Sequence, residues 1–311
     1  MSQTSANKTS ADAAAANAVP EGTDLVEWYY EQGVSDGLPV VPPTPEKLAA
    51  MVEALDGDPD HLECRVPPRW GNLTREVLAI NCVMAGCLPA YAPVVRAAIL
   101  ALTDTSFNLN GVQATTHMAA PLLVVNGPVR GEIDMNADCN VFGSGNRANA
   151  TIGRAIRMVL LNVGGAWPGD LDKSTFGSPA KYTYCIAENE EVSPWAPYHV
   201  EKGYAETDST VFLIAAEPPH SVTNHVADDP EGILDSIVSA MSTIAHNNAV
   251  SSGHCAVVIS PEHAETIAGK GWTRHDVRSY LWTYSGVTFG EIAFDHRYGK
   301  VYNRNLPRWY K

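Results

Sequence analysis

One stretch constrains this chain more than any other: a glycine-rich loop that runs directly into a helix, Asn140-Val-Phe-Gly-Ser-Gly-Asn-Arg-Ala-Asn-Ala-Thr-Ile-Gly-Arg154. Gly143 and Gly145 admit the φ > 0 backbone of a tight turn and leave the main chain open to close approach. Asn146 is placed to cap the helix that follows. From Ile152 the apolar positions are 152, 155, 156, 159, 160 and 163, a stripe at helical spacing that packs on a core. Arg147 and Arg154 share a different face. First-turn N–H groups, the helix dipole and one or two guanidinium groups would together compose an anion site. Its candidate ligands are Gly143, Gly145, Asn146, Arg147, Asn149 and Arg154. The competing interpretation is a helix start packed tightly on a strand, with the arginines in structural ion pairs. Nucleotide loops are a poor match, because the Lys-Ser/Thr pair of a Walker A loop and the G-x-G-x-x-G fingerprint are both missing.

Around this stretch the chain alternates apolar runs with helical patterns. Thr23-Asp24 caps a helix from Leu25 to Gln32, and Thr44-Pro45 opens another that ends near Asp56-Gly57. Two apolar helices, Thr74 to Ala85 and Ala90 to Thr103, are separated by Gly86-Cys87-Leu88-Pro89, where proline stops one and opens the other. Pro121 to Val125, Thr210 to Ala216 and Ala256 to Ser260 read as buried strands. Helices follow from Glu231 to Ile244, after Ser260-Pro261, and from Arg274 to Thr283 behind a Thr273 cap. This alternation predicts an α/β fold with a mixed, largely parallel sheet covered by helices. Residues 164–195 form a loop-rich excursion, residues 1–22 a disordered tail, and 23–311 a single catalytic or substrate-binding domain.

Composition narrows the function classes. A net charge of −14 argues against nucleic acid and anionic membranes as partners. No run approaches the about 18 apolar residues of a membrane helix. With no apolar segment near the N-terminus to serve as a secretory signal, a cytoplasmic protein is expected. The six cysteines include no C-x-x-C pair, so free thiols are expected rather than a zinc ribbon or a dithiol motif.

Three residues stand out as candidate catalytic groups. Cys87 sits at a helix-to-helix break ahead of the Pro89 helix start, where a dipole would favour the thiolate. His117 lies in a loop at a strand entrance, a position suited to acid–base work. In Cys185-Ile-Ala-Glu-Asn-Glu-Glu191, Glu188 is the carboxylate nearest the apolar segment. It is either part of a solvated acidic turn, a partner for the anion-site arginines, or an acid–base group. His220 and His225 follow the strand ending at Ala216, near where ligands bind in open α/β sheets. With His117 they form the alternative, a metal site, although their spacing matches no standard zinc signature. No cofactor motif is present.

Four segments resemble a known family. Asp36-Gly-Leu-Pro-Val-Val-Pro-Pro-Thr44, Val83-Met-Ala-Gly-Cys-Leu-Pro89, the Asn140–Arg154 stretch and Ile186-Ala-Glu-Asn-Glu-Glu-Val-Ser-Pro-Trp195 look like the large component of UGSC-type proteins. That family takes its name from a (seleno)cysteine- or cysteine-Gly-Ser-Cys motif on a small domain, fused C-terminally in some members. The resemblance covers about residues 24–300. This sequence contains no Gly-Ser-Cys and ends at Tyr310-Lys311 without that domain. The resemblance therefore implies a separate small partner protein carrying the (Sec/Cys)-Gly-Ser-Cys motif. It implies a two-component, thiol- or selenol-dependent lyase, reductive-cleavage or hydrolytic enzyme for a small anionic organic substrate. A metal-dependent hydrolase or lyase and a non-catalytic scaffold for a small redox partner are the alternatives. A homo-oligomer is compatible with all three.

Overall fold

The structure, a computed structural model, describes residues 22–243 and 253–287 together with Val19 and Asn247. Apart from Val19 and Gly22, the tail expected over residues 1–22 lies outside these residues, as does Ile244 at the end of an expected helix. Local sequence signals set most of the element boundaries. Asp24 accepts a hydrogen bond from the Val26 N–H and opens α1 (Leu25–Glu31), and Pro45 opens α2 (Pro45–Glu53). An antiparallel pair follows, β1 (Leu62–Val66) with β2 (Gly71–Thr74), which the hydrophobic pattern alone does not reveal. Thr74 then caps α3 (Arg75–Ala85) through the Val77 N–H. A short 3-10 turn at Pro89–Tyr91 leads into α4 (Ala92–Thr103).

No single helix among the described residues is long and apolar enough to cross a membrane. The α3 and Pro89–Thr103 helices reach that length only together, turn by 119° between them, and bury their apolar residues in the core.

After the short helix α5 (Leu109–Gln113) comes the central strand β3 (Ala120–Asn126), then α6 (Val129–Glu132) and the long helix α7 (Arg147–Asn162). Strand β4 (Cys185–Ala187), helix α8 (Tyr198–Glu201) and strand β5 (Thr210–Ala216) follow. The sheet has the order β4-β3-β5. It is mixed, as expected, but its longer ladder is antiparallel: β3 pairs with β5 from Ala120↔Ala216 to Asn126↔Thr210. The parallel part is the short pairing of Leu123–Val125 with Cys185–Ala187. Strand β4 emerges from the expected loop-rich excursion. Helices α3, α4 and α7 pack together over Leu123 and Val125. Leu122 points to the opposite face, against Tyr184 and Ile186.

The chain divides into two compact units, where the sequence suggested one domain. The first comprises Met1–Asn189 and Pro197–Pro218, the second Glu190–Ala196 and Pro219–Lys311. The second unit contains α9 (Pro230–Met241), α10 (Pro261–Gly269) and α11 (Arg274–Tyr284), packed around Ile233, Leu234, Ile267, Val277 and Leu281. Thr273 and Asp276 form a capping box at the start of α11. Residues 256–260 do not form the strand expected there. Among the described residues no strand pairs with them. Val258 is 57 % exposed, and Ile259 alone of the run packs on the helical core. An apolar run needs a ladder as well as a hydrophobic pattern to become a strand.

An ion-pair network ties β1 to α3 and α4. Glu63, on β1, takes Arg75 Nε and Arg96 Nε, each at 2.8 Å. Arg75 also reaches the Gly57 carbonyl at 2.6 Å, and Arg96 the Asp56 carboxylate at 2.8 Å. Burial opposes ionisation of Glu63, but the hydrogen bonds and charges of the two arginines outweigh it and hold its carboxyl below the usual value. Glu63→Ala strands the Arg75 guanidinium, which is 7 % exposed. We expect a loss of about 3–5 kcal/mol, read as a lower urea midpoint at pH 7. Because the folded-state value is depressed, Glu63 stabilises above its unfolded pKa of about 4.3 and ceases to as pH falls through the folded value. The gap between wild type and variant should therefore narrow below about pH 4; a gap independent of pH would contradict this account.

Candidate functional site

The glycine-rich loop turns as the sequence suggests, with the roles of its glycines divided. Gly145 takes φ 122° and Asn140 φ 61°, whereas Gly143 does not adopt positive φ. A Cβ on Gly143 would collide with the Asn140 side chain, so that glycine serves close approach. Asn146 caps α7 through the Asn149 N–H at 3.0 Å and holds the Asp134 carbonyl at 2.6 Å. Asn149 is turned inward, exchanging hydrogen bonds of 3.0 and 2.9 Å with the Asn136 backbone.

Both arginines expected to hold an anion are spent on the protein. Arg147 donates to the Gly86 carbonyl from Nε at 3.1 Å and Nη2 at 2.9 Å, tying the start of α7 to the end of α3. Arg154 grips Asp36 with two parallel bonds of 2.8 Å and reaches the Pro39 carbonyl at 2.9 Å. That Asp36 carboxylate is 3 % exposed. The Arg147–Arg154 face is thus a structural clamp on the Asp36–Pro39 segment and the α3 terminus. The competing interpretation, arginines in structural contacts, is the one the geometry follows.

Cys87 lies at a helix C-terminus. Gly86, at φ 95°, closes α3, and the Gly86 and Cys87 N–H groups return to the Val83 and Cys82 carbonyls. This is a Schellman ending, so the near end of α3 presents carbonyls. The Cys87 thiol is 7 % exposed and donates to the Thr151 carbonyl at 3.3 Å. Cys82 and Cys185 share this interior. A hydrogen bond to Cys87 and then burial push the Cys82 thiol well up; burial and then Cys87 do the same to Cys185. This is a cluster of core thiols with little access for a substrate.

His117 and Glu188 lie at opposite ends of the sheet. Glu188 follows β4, where its N–H bonds the Val125 carbonyl at 3.1 Å. Its carboxylate takes the Asn126 side chain and the Tyr198 N–H, and its carbonyl takes Arg130 at 2.8 Å. Glu188 therefore joins β3, β4 and the start of α8. His117 precedes β3, a strand about 20 Å long at ~3.3 Å per residue. Cys87, His117 and Glu188 are not brought to one place. His220 and His225 are exposed and belong to the second compact unit, whereas His117 belongs to the first. Among the described residues no three His, Cys, Asp or Glu side chains converge in a way that could hold a metal ion.

Instead, His117 meets a residue the sequence did not single out. Its Nε2 lies 2.5 Å from Glu217 Oε1, with the two side chains 36 % and 33 % exposed. The register of β3 with β5 explains the meeting. Ala120 pairs with Ala216, so the residues just before β3 and just after β5 share one end of the sheet. An ionised carboxylate accepts only, so it fixes the proton on Nε2 and leaves Nδ1 as the lone-pair nitrogen of a neutral ring. Tyr184 donates its hydroxyl to the Glu217 carbonyl at 2.9 Å, and burial raises its pKa to about 12.

Tyr184 also lines a small cleft between α7 and the start of β3. Gln113, Arg157, Lys181, Ala120, Pro121 and Tyr184 are among the residues that line it. Asp172 holds its cations together, taking Lys181 Nζ at 2.7 and 2.9 Å and Arg157 Nη2 at 3.2 Å. The three side chains are 3 %, 11 % and 10 % exposed. Two cations against one carboxylate leave an excess of one positive charge. Burial works against the Asp172 carboxylate, yet Lys181, the Ser174 N–H and Arg157 hold its pKa below the usual range. The Thr175 N–H donates to the Thr116 carbonyl at 3.0 Å, joining the loop after Asp172 to the residue before His117. A charged residue inside the apolar run Ile156-Arg157-Met158 was the one sequence signal for this cluster. Asp172 and Lys181, in loop and turn, carry none.

No family model, curated protein or solved structure matches the chain.

Two measurements check this geometry. On the native protein, a limiting thiol alkylator should modify the exposed Cys139 and Cys255 while Cys82, Cys87 and Cys185 react only on unfolding. Fast, selective labelling of Cys87 would restore the nucleophile. A Cβ on Gly153 would lie 2.7 Å from the Tyr184 backbone nitrogen. Gly153→Ala should thus push β4 from α7 and cost about 1–3 kcal/mol in thermal or urea unfolding; an unchanged midpoint would refute that close approach.

Proposed function

We propose that this chain is the substrate-binding and proton-transferring component of a two-component enzyme for a small anionic organic molecule. A separate protein with a (Sec/Cys)-Gly-Ser-Cys motif supplies the reactive thiol or selenol. One observation carries the reading: Tyr184, which lines a cleft where Arg157 and Lys181 share the single carboxylate of Asp172, also bonds the backbone of Glu217, the partner of His117. An acid–base pair near two buried cations that share one carboxylate suits a substrate that brings negative charge and exchanges a proton. His117 moves the proton, Glu217 orients the ring, and Arg157 and Lys181 attract the anion. Burial of Cys82, Cys87 and Cys185 supports assigning the reactive sulfur to a partner. Resemblance of four segments to the UGSC large component points the same way.

The test is conversion. The purified chain is incubated with the small-anion fraction of a metabolite extract, with dithiothreitol standing in for the partner thiol, and followed by mass spectrometry. Wild type should deplete at least one anionic metabolite, and His117→Ala and Glu217→Gln should slow the depletion by about 100-fold or more. No depletion by wild type, or equal depletion by the variants, would sink the reading.

A further inference from the structure

The cleft contains an orphaned donor. Gln113 is 2 % exposed, and its Nε2 has no hydrogen-bond partner. Its amide orientation is set by Arg157, whose Nη1 faces Gln113 Oε1 at 3.4 Å. Reversing the amide would oppose donor to donor. A buried N–H without an acceptor is destabilising, a cost that an acceptor arriving from outside removes. Around the cleft, the nearby side-chain carboxylates are already committed. Both Asp172 oxygens are taken, by Lys181, Arg157 and the Ser174 N–H. Asp36 also faces Arg157, but its charge is matched by Arg154. The Glu217 side chain is turned to His117.

Size and charge then select the ligand. The cavity has a volume of about 10 Å3, the space of a single water molecule. Ala119, Pro121 and Ala180, half-buried, lead from it to the surface. One excess positive charge matches a monoanion. A space of one oxygen atom, lined by Gln113, Arg157 and Lys181 and leading out past Ala119, Pro121 and Ala180, suits the tip of a planar carboxylate with a short apolar tail. A single excess charge favours such a monoanion over a dianion such as phosphate or sulfate.

We infer that Gln113, Arg157 and Lys181 form the carboxylate-binding site of this protein, and that its substrate class is small monocarboxylates. One carboxylate oxygen enters the cavity and accepts from Gln113 Nε2 and the two cations, and the apolar tail lies along Pro121 toward His117. The inference rests on the reading above that a small anion is the substrate, and it relocates that anion from the Arg147–Arg154 face to the inner face of α7.

Saturation-transfer NMR on the full chain tests it, with sodium acetate and sodium propionate replacing sodium chloride at fixed ionic strength. Transfer to the ligand protons is expected for wild type and for Arg147→Gln. Gln113→Glu, which fills the orphan position with the protein's own carboxylate, should lower it at least tenfold, as should Gln113→Met. Circular dichroism verifies that each variant is folded. Addition of equimolar phosphate should displace neither ligand. Absence of transfer in wild type, transfer unchanged in both Gln113 variants, its loss in a folded Arg147→Gln, or displacement by phosphate would overturn the site. The two levels separate cleanly. If acetate fails to bind but His117→Ala abolishes conversion of an anionic metabolite, the carboxylate site falls and the acid–base reading stands. If acetate binding follows Gln113 but no anionic metabolite is converted, the site stands and the reading falls.

Discussion

Helix α7 is buried on almost every side, and that burial dictates what each of its polar residues can do. Eleven of its residues, from Ala148 to Leu161, are buried, including Asn149 and Arg157. A charge in such a place must find a partner or be neutralised. Arg154 finds Asp36, Arg157 finds Asp172, and Asn149 finds the Asn136 backbone. Gly153 sets how closely β4 approaches, because a side chain there would strike the Tyr184 backbone. The clamp on Asp36 and the cleft at Gln113 are two outcomes of one requirement, the compensation of charge on a core helix.

The sheet supplies the second constraint. Its antiparallel ladder brings the start of β3 and the end of β5 to one end, where His117 and Glu217 meet. The parallel pairing with β4 brings Tyr184 to the same end and sends Glu188 to the other. A fully parallel sheet would have separated His117 from the residue after β5 by a strand length. The His117–Glu217 pair therefore depends on the departure from the largely parallel sheet that the βα alternation suggests.

Much of the local architecture is legible in the sequence. The Asp24, Asn146 and Thr273 caps, the Gly86–Pro89 break and the Thr210–Ala216 strand all stand where pattern and turn chemistry put them. What escapes such reading has a physical cause in each case. Strand β4 has only three residues and borrows its definition from β3. The run at residues 256–260 has a strand's composition without a partner ladder. Cys87 sits between two helices, and sequence spacing cannot tell whether its sulfur faces the start of the second or the carbonyl end of the first.

The sequence by itself determined the elements whose free energy is local: helix starts and stops, the glycine turn ahead of α7, and the apolar stripe that makes α7 a core helix. These depend on caps, backbone preferences and side-chain period within a few residues. Tertiary structure decided which charge meets which. Arg154 meets Asp36 across 118 positions of sequence, and His117 meets Glu217 across 100. Such pairs are set by sheet register and helix packing, and in the buried ones desolvation makes an unmatched charge costly. The same reckoning leaves Arg157 and Lys181 with one carboxylate between them and Gln113 with an open donor.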